Sequence, residues 1–568
     1  MASSLVPVLT FRDALLFTVT SALFSHLVFN KFEPNKPRPL VVLLGLLPLI
    51  PTATLSTHYA SLWQPFVVAY TTYYTALLLS VGIYRVSPFH PLSRYPGPLP
   101  AKLSKFWSVW IASTGKQHEY FKRLHEKFGP CVRISPNELS FLDAGAIAPI
   151  MGNDGLPKGP MWDGRRHPDW NPSLIGTRDI QDHKRRRNRW NRAFTSASVK
   201  EYEPTISRRA LQLVEQLEKR AKNKETVDIA KWLSFFTFDF MGDMAFGGGF
   251  ELMQEDDKDG LWKVMEEGIG NASLIHHIPW ACRYLMQMNI FTKDTIALRS
   301  FGLRRVTARK EQGSHVKDMF HHIIDEDGLE PIPPPFSEIV SDAILAIVAG
   351  SDTTATVMSN LFYGVLTNPS HYARLRKEVD TIFPPGEGNP FDAAKLAEIP
   401  ILNATINEAL RLSPAVVNGT QRATPRGSGG KMIGEHYVPG GTALIVPTYS
   451  LHRDKRYFSP APDMFWPDRW LFPSGTLVED PSKANVKHEK VPLVTDHSAF
   501  IPFSVGPANC VGKNLAQVEM RMIVSLLVQR FEMRLIDEYD PKDWERKLED
   551  RFVLKKSILP IVIKDRSI

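Results

Sequence analysis

Phe503-Ser-Val-Gly-Pro-Ala-Asn-Cys-Val-Gly512, followed by Lys513-Asn-Leu-Ala-Gln-Val-Glu-Met-Arg-Met-Ile-Val524, decides the reading of this 568-residue chain. The second part has the apolar spacing of a buried helix, so Cys510 stands at a helix start. Backbone N–H groups and the helix dipole favour a thiolate there, the form in which sulfur binds a metal. Gly506 permits a tight turn, and Gly512 lets a flat cofactor or a neighbouring chain come close. Taken alone, such a cysteine is ordinarily a small buried hydrophobe.

Moving towards the N-terminus, Ser337 to about Thr367 forms one long segment, apolar nearly all round, capped by Ser337 after Pro335 and stopped by Asn368-Pro369. A helix of that kind belongs at the centre of a large domain. Its middle, Ala349-Gly-Ser-Asp-Thr-Thr354, puts an acid and two hydroxyls where packing alone would ask for leucine. Either the threonines bond back to carbonyls one turn earlier, or the polar groups are functional.

Two pairs at helical spacing flank this centre. Glu408 and Arg411 lie three apart on one face, although exposed pairs of that sort contribute only about 0–1 kcal/mol. His183 and Arg187 lie four apart and could reach one carboxylate together. The neighbouring Lys184, Arg185, Arg186, Arg189 and Arg192 read equally as a solvated face or as a docking patch for an acidic redox partner.

The formal net charge of +8 is small for this length, which leaves a nucleic-acid partner without support. Three widely separated cysteines, Cys131, Cys282 and Cys510, form neither a disulfide framework nor a zinc cluster, and they point to a reducing compartment. Sequons begin at Asn271, Asn403 and Asn418 and are expected to be unused. Charge nearly vanishes across Ala14–Asn30, Pro39–Leu55 and Leu62–Tyr84, which predicts one to three membrane spans within residues 1–85. The second stretch is interrupted by Pro48 and Pro51, so a re-entrant or interfacial segment competes with a span there. Lys and Arg flank the set in a pattern that places the bulk of the chain in the cytosol. Residues 86–105 are a stiff proline-rich hinge, and 106–568 form the remaining domain.

Around Cys510 the chain resembles the haem-binding signature of the cytochrome P450 family, matching at Phe503, Gly506, Cys510 and Gly512. Ala508 departs from it, standing where the family usually has an arginine that pairs with a haem propionate. Ala349–Thr354 is similar to the family's oxygen-activation motif, Asn407–Pro414 to its Glu-x-x-Arg helix, and Phe465–Trp470 to the segment whose arginine completes a buried trio. The four occur in the family's order, and the resemblance runs from roughly residue 86 to the end.

That resemblance implies a mainly α (α+β) fold, the cytochrome P450 fold with N-terminal transmembrane helices. It implies haem b with Cys510 as the axial ligand of its iron. Asp352 and Thr353 would relay protons, and Gly350 would leave space beside the iron. Glu408, Arg411 and Arg469 would be the structural trio. His183 and Arg187, with Arg422 as a third, would bind propionates, a duty made heavier by Ala508. The implied activity is a monooxygenase, inserting one oxygen atom into a lipophilic substrate such as a terpenoid or other secondary metabolite. Electrons would come from NADPH through a separate NADPH–cytochrome reductase, at the endoplasmic reticulum with the domain facing the cytosol. Specificity is expected in loops such as Pro168–Asp182 and in the helices around Phe235–Phe250. A haem-thiolate dehydratase, isomerase or peroxygenase needing no reductase is the alternative enzyme, and a haem-free transport or scaffold protein the non-enzyme alternative.

Overall fold

The computed structural model describes residues 9–34, 36–61, 63–165, 167–258, 260–313, 317–483 and 490–566. Leu62, where the third apolar stretch begins, and the side chain of Asn271 lie outside the described residues. The chain forms two compact units, Met1–Lys105 with Arg133–Pro136, and Phe106–Val132 with Asn137–Ile568.

In the first unit Phe11–Phe32, Pro37–His58 and Trp63–Val86 are each long and apolar enough to cross a membrane. The middle one is broken by its prolines into Pro37–Leu40, a wide π turn at Val41–Leu46, and Leu49–Leu55. Pro48 has no N–H to give the carbonyl of Leu44, which instead takes the Tyr74 hydroxyl at 2.6 Å. Tyr73 and Tyr70 donate in the same way to Leu43 and Gly45, each at 2.6 Å. Such side-chain donors do what water cannot in hydrocarbon. The hydroxyls of Ser25 and Tyr73, 2.6 Å apart, tie the first span to the third.

The second unit is mainly helical, with short sheets at its margins. Its axis is the helix Phe336–Leu366, a fourth segment apolar enough for a membrane but mostly buried in the protein. Pro335 occupies its cap position and no side chain caps it, so Ser337 falls within the first turn instead of starting it. The next helix begins on Pro369, which cannot continue the backbone ladder. Against the long helix packs Ile229–Phe246, whose Phe235, Phe236 and Phe240 are fully buried. That segment is core, not the substrate-facing wall its sequence suggested.

The helix Lys513–Arg530 follows the cysteine loop and buries Met522, Ile523, Val524, Leu526 and Leu527 in the same core. Glu138–Phe141 pairs in parallel with Ala443–Ile445, and Arg422–Ala423 adds antiparallel to the latter strand. A hairpin of Glu549–Arg551 and Val553–Lys555 lies along the long helix, where the Thr356 hydroxyl donates to the Leu554 carbonyl at 3.2 Å.

A candidate haem-thiolate site

Most of the long helix is packed on all sides, but Leu345, Val348, Ala349, Asp352 and Thr353 are not, and neither, beside them, are Ile344 and Gly350. The spacing of the first five puts them on one face, so in the middle of the core the helix borders open space. Gly350 is not the residue that makes it. A Cβ there would lie 2.5 Å from Met241 Sδ, so Gly350 admits the neighbouring helix, and Ala349 is the small residue on the open face. Thr353 donates to the Ala349 carbonyl at 2.6 Å and Thr354 to Gly350 at 3.2 Å, the back-bonding habit of threonine. The Asp352 carboxylate meets Lys556 Nζ at 2.9 Å. Glu519, on the helix after Cys510, is buried, which raises its pKa well above the ordinary carboxylate range; Thr354 bonds to it. Nothing in its local sequence marks it.

The cysteine loop is closed by the Cys510 N–H on the Phe503 carbonyl at 2.9 Å. Gly506 has φ 74°, and a Cβ on it would come within 2.0 Å of the Met151 carbonyl oxygen, so both conformation and space demand glycine. Cys510 is exposed, yet burial beneath the surrounding chain raises its thiol pKa. The two facts agree if the sulfur faces a cavity deep in the fold. The Gly512 N–H, Arg187 and Lys513 act the other way, but burial outweighs them. A helix start therefore does not by itself hold a thiolate here; a bound metal cation would supply the missing charge.

Behind the loop, Glu408, Arg411 and Arg469 come together with no exposed surface. Arg411 grips Glu408 through Nε at 2.9 Å and Nη2 at 2.8 Å, and Arg469 Nε lies at 3.2 Å. The N–H groups of Trp466 and the Trp470 indole add bonds of 2.8 and 2.9 Å. Burial would raise the pKa of this carboxyl, but the two arginines and these bonds bring it down to about 2. Asp468 points elsewhere, pairing with Arg374 at 2.7 Å.

His452, which sequence reasoning missed, links this trio to the loop. Its Nε2 accepts the Ile501 N–H at 3.0 Å and its Nδ1 meets the Arg411 carbonyl at 3.1 Å, an arrangement only the neutral ring can make. Burial and the Arg411 charge lower its pKa from 6.5 to about 3. Protons therefore bind the unfolded chain first. The stability this group confers is complete above pH 6.5 and is lost as pH falls from there towards 3, at roughly 1 kcal/mol per pH unit. Acidification from about pH 7.5 to about pH 5 will lower the melting temperature of wild type more than that of His452→Gln. Equal falls would contradict the assignment.

Positive charge gathers at the other side of the site. Lys158, His183, Arg187 and Arg422 lie near one another, and burial, with the neighbouring cations, brings His183 to about 3 and Lys158 to about 6. Lys158 Nζ donates to the carbonyls of Leu174 and Ile175, and Arg422 Nε is buried with no hydrogen-bond partner among the described residues. Near neutral pH the arginines are the firm cations of this cluster, and a pair of propionates would complete it and favour the charged forms of its other members. Lys158 gave no signal in sequence. Arg187, expected beside His183 on a propionate, is committed instead to the Asn509 carbonyl at 2.6 Å, the Asn509 side chain at 2.8 Å and Asn191 at 2.8 Å. It anchors the residue preceding Cys510.

Of the rest of the basic run Lys184 is exposed, but most of the arginines are neither a solvated face nor a docking patch. Arg186 and Arg189 are buried; Arg186 bonds Asp342 at 2.9 Å, and Arg189 bonds Glu338. Arg185 reaches Glu338 at 2.8 Å, and Arg192 reaches Asp325 and Glu330. Arg185, Arg186 and Arg189 thus lock the helix Ile180–Ala193 onto the start of the long helix, and Arg192 ties it to the segment before that helix.

Comparison with known proteins agrees with this geometry. The sequence profile of the cytochrome P450 family matches residues 96–561. Cytochrome P450 monooxygenase FCK2 of Fusarium pseudograminearum is 33% identical, covering 97% of this chain and 97% of its own. Cytochrome P450 monooxygenase nodW of Hypoxylon pulicicidum is 32% identical over 83% of this chain and 82% of its own. Tryprostatin B 6-hydroxylase of Neosartorya fischeri is 31% identical over 87% and 86%.

Proposed function

This chain belongs to the cytochrome P450 family, and we propose on that premise that it is a membrane-anchored haem b monooxygenase of secondary metabolism, fed with electrons from NADPH by a separate reductase. A family monooxygenase incorporates oxygen and carries haem iron; the finer assignments are ours. The observations that support them are an exposed Cys510, a polar stripe on the core helix that is not fully packed, and a basic cluster in which Arg422 Nε has no hydrogen-bond partner among the described residues.

Haem bound by Cys510 would supply dioxygen activation, favoured by the electron-donating thiolate. In our reading Cys510 Sγ would bind the haem iron, while His183, Arg422 and Lys158 would hold the propionates that Ala508 cannot. Arg187 fixes the loop through Asn509. Glu408, Arg411 and Arg469 brace it from behind. Asp352 and Thr353 hold and pass protons at the open face, Lys556 keeping Asp352 in place. The N-terminal helices anchor residues 1–85 in the endoplasmic reticulum membrane, residues 86–105 serve as hinge, and 106–568 face the cytosol. A lipophilic substrate enters from the bilayer. The tryprostatin B hydroxylase among the relatives supports a metabolite of comparable kind, terpenoid or otherwise.

Thr353→Ala tests the proton role. Product formed per NADPH will fall at least about tenfold, with hydrogen peroxide taking its place and NADPH consumption largely kept. Unaltered coupling would remove Thr353 from the relay. Product formation by wild type from peroxide alone, with no gain on adding reductase and NADPH, would favour the peroxygenase reading.

A further inference from the structure

An arginine half-buried in the second unit has, among the described residues, no carboxylate to hold. Arg165 ends the turn Pro160–Arg165; its guanidinium lies 4.0 Å over the Phe552 ring, and its Nη1 is 3.1 Å from His276 Nδ1. Among the described residues no carboxylate lies within ion-pair distance of it. Asp550 offsets its charge from further away, its oxygens being taken by the Phe552 N–H at 3.2 Å and the Asn418 amide. Beside it the Trp162 ring meets Phe552 edge-on at 5.8 Å, and Trp162 Nε1 is buried with no acceptor.

This corner is linked along the chain to the open face of the long helix. Phe552 forms the hairpin tip at φ 77°, a costly conformation for a bulky residue, and the strand after it runs to Lys556 on Asp352. The fold thus holds an aromatic ring between the Trp162 indole N–H, which has no acceptor among the described residues, and a guanidinium whose hydrogen bond there is to His276. A buried donor without an acceptor is expensive unless a ligand satisfies it. Because Asp550 balances the charge of Arg165, the fitting group is neutral and not a carboxylate.

We propose that Arg165 and Trp162 bind a carbonyl oxygen of the substrate, which makes that substrate an apolar molecule bearing a neutral ketone, ester, lactone or amide. The proposal rests on the monooxygenase reading above. Its test is ligand binding to the full-length holoprotein, read from the ligand-induced Soret shift, with 4-phenylcyclohexanone, phenylcyclohexane and 4-phenylcyclohexanecarboxylate as probes. Comparing ratios of dissociation constants between proteins cancels the unequal hydrophobicity of the probes. In Arg165→Met the preference for ketone over hydrocarbon will fall about tenfold or more while the hydrocarbon binds as before; Arg165→Lys, which keeps the charge but loses the fork, will lie between. Asp550→Asn will shift preference from the ketone towards the carboxylate. A ketone preference unchanged in Arg165→Met, or a wild-type holoprotein that binds none of the probes, would overturn the proposal. A wild-type preparation with no haem spectrum before any probe is added would instead defeat the underlying reading.

Discussion

Arg411→Leu will yield no folded, haem-loaded protein. Glu408 is wholly buried and remains ionised because Arg411 gives it two hydrogen bonds. The same guanidinium satisfies the carbonyls of His452, Pro462 and Met464 at 2.7, 2.5 and 3.0 Å. Leucine would leave a charge and three acceptors uncompensated in the interior. Breaking one partner of a buried pair costs about 3–5 kcal/mol, against a total stability of about 5–15 kcal/mol. Arg374→Leu is the contrasting control. Its partner Asp468 sits at the surface side of the same segment, with Arg374 46% exposed, so the loss should be under about 1 kcal/mol. The check is protease resistance and thermal unfolding of both variants, with haem content as a second reading. An Arg411→Leu protein that melts with wild type would show that the trio is not what holds the loop from behind.

Much of this arrangement was legible in sequence wherever a spacing carried a mechanism. The loop from Phe503 to Gly512 needs glycine at 506 because a backbone carbonyl approaches it, and that constraint is local. The long helix announced itself through unbroken apolar character and a proline stop. Other features depended on partners distant in the chain. Arg186 and Arg189 looked like surface charge because Glu338 and Asp342, which neutralise them, lie about 150 residues later. Gly350 was read as leaving space, and only packing reveals that Met241 presses on it. His452, Lys158 and Glu519 were missed for the same reason: burial confers their significance, and none sits in a local pattern. The interrupted second apolar stretch was correctly marked by its prolines, but the tyrosines that repair it come from the third stretch.

Cys510→Ser carries the other large effect. Among the described residues no group of three or more His, Cys, Asp or Glu could hold a metal, and the other cysteines, Cys131 and Cys282, are buried while Cys510 is open. A serine oxygen is a harder, less electron-donating ligand than a thiolate, so monooxygenase turnover will vanish even if haem is retained. The fold should survive, because the substitution is nearly isosteric and the trio behind the loop is untouched. The most direct measurement is the carbon-monoxide difference spectrum of dithionite-reduced membranes containing wild type or Cys510→Ser. Wild type will show the strongly red-shifted Soret band of thiolate-bound haem, and the variant will lack it at equal protein level. A wild-type preparation that is folded but shows no such band, or a variant that keeps it, would contradict Cys510 as the haem ligand.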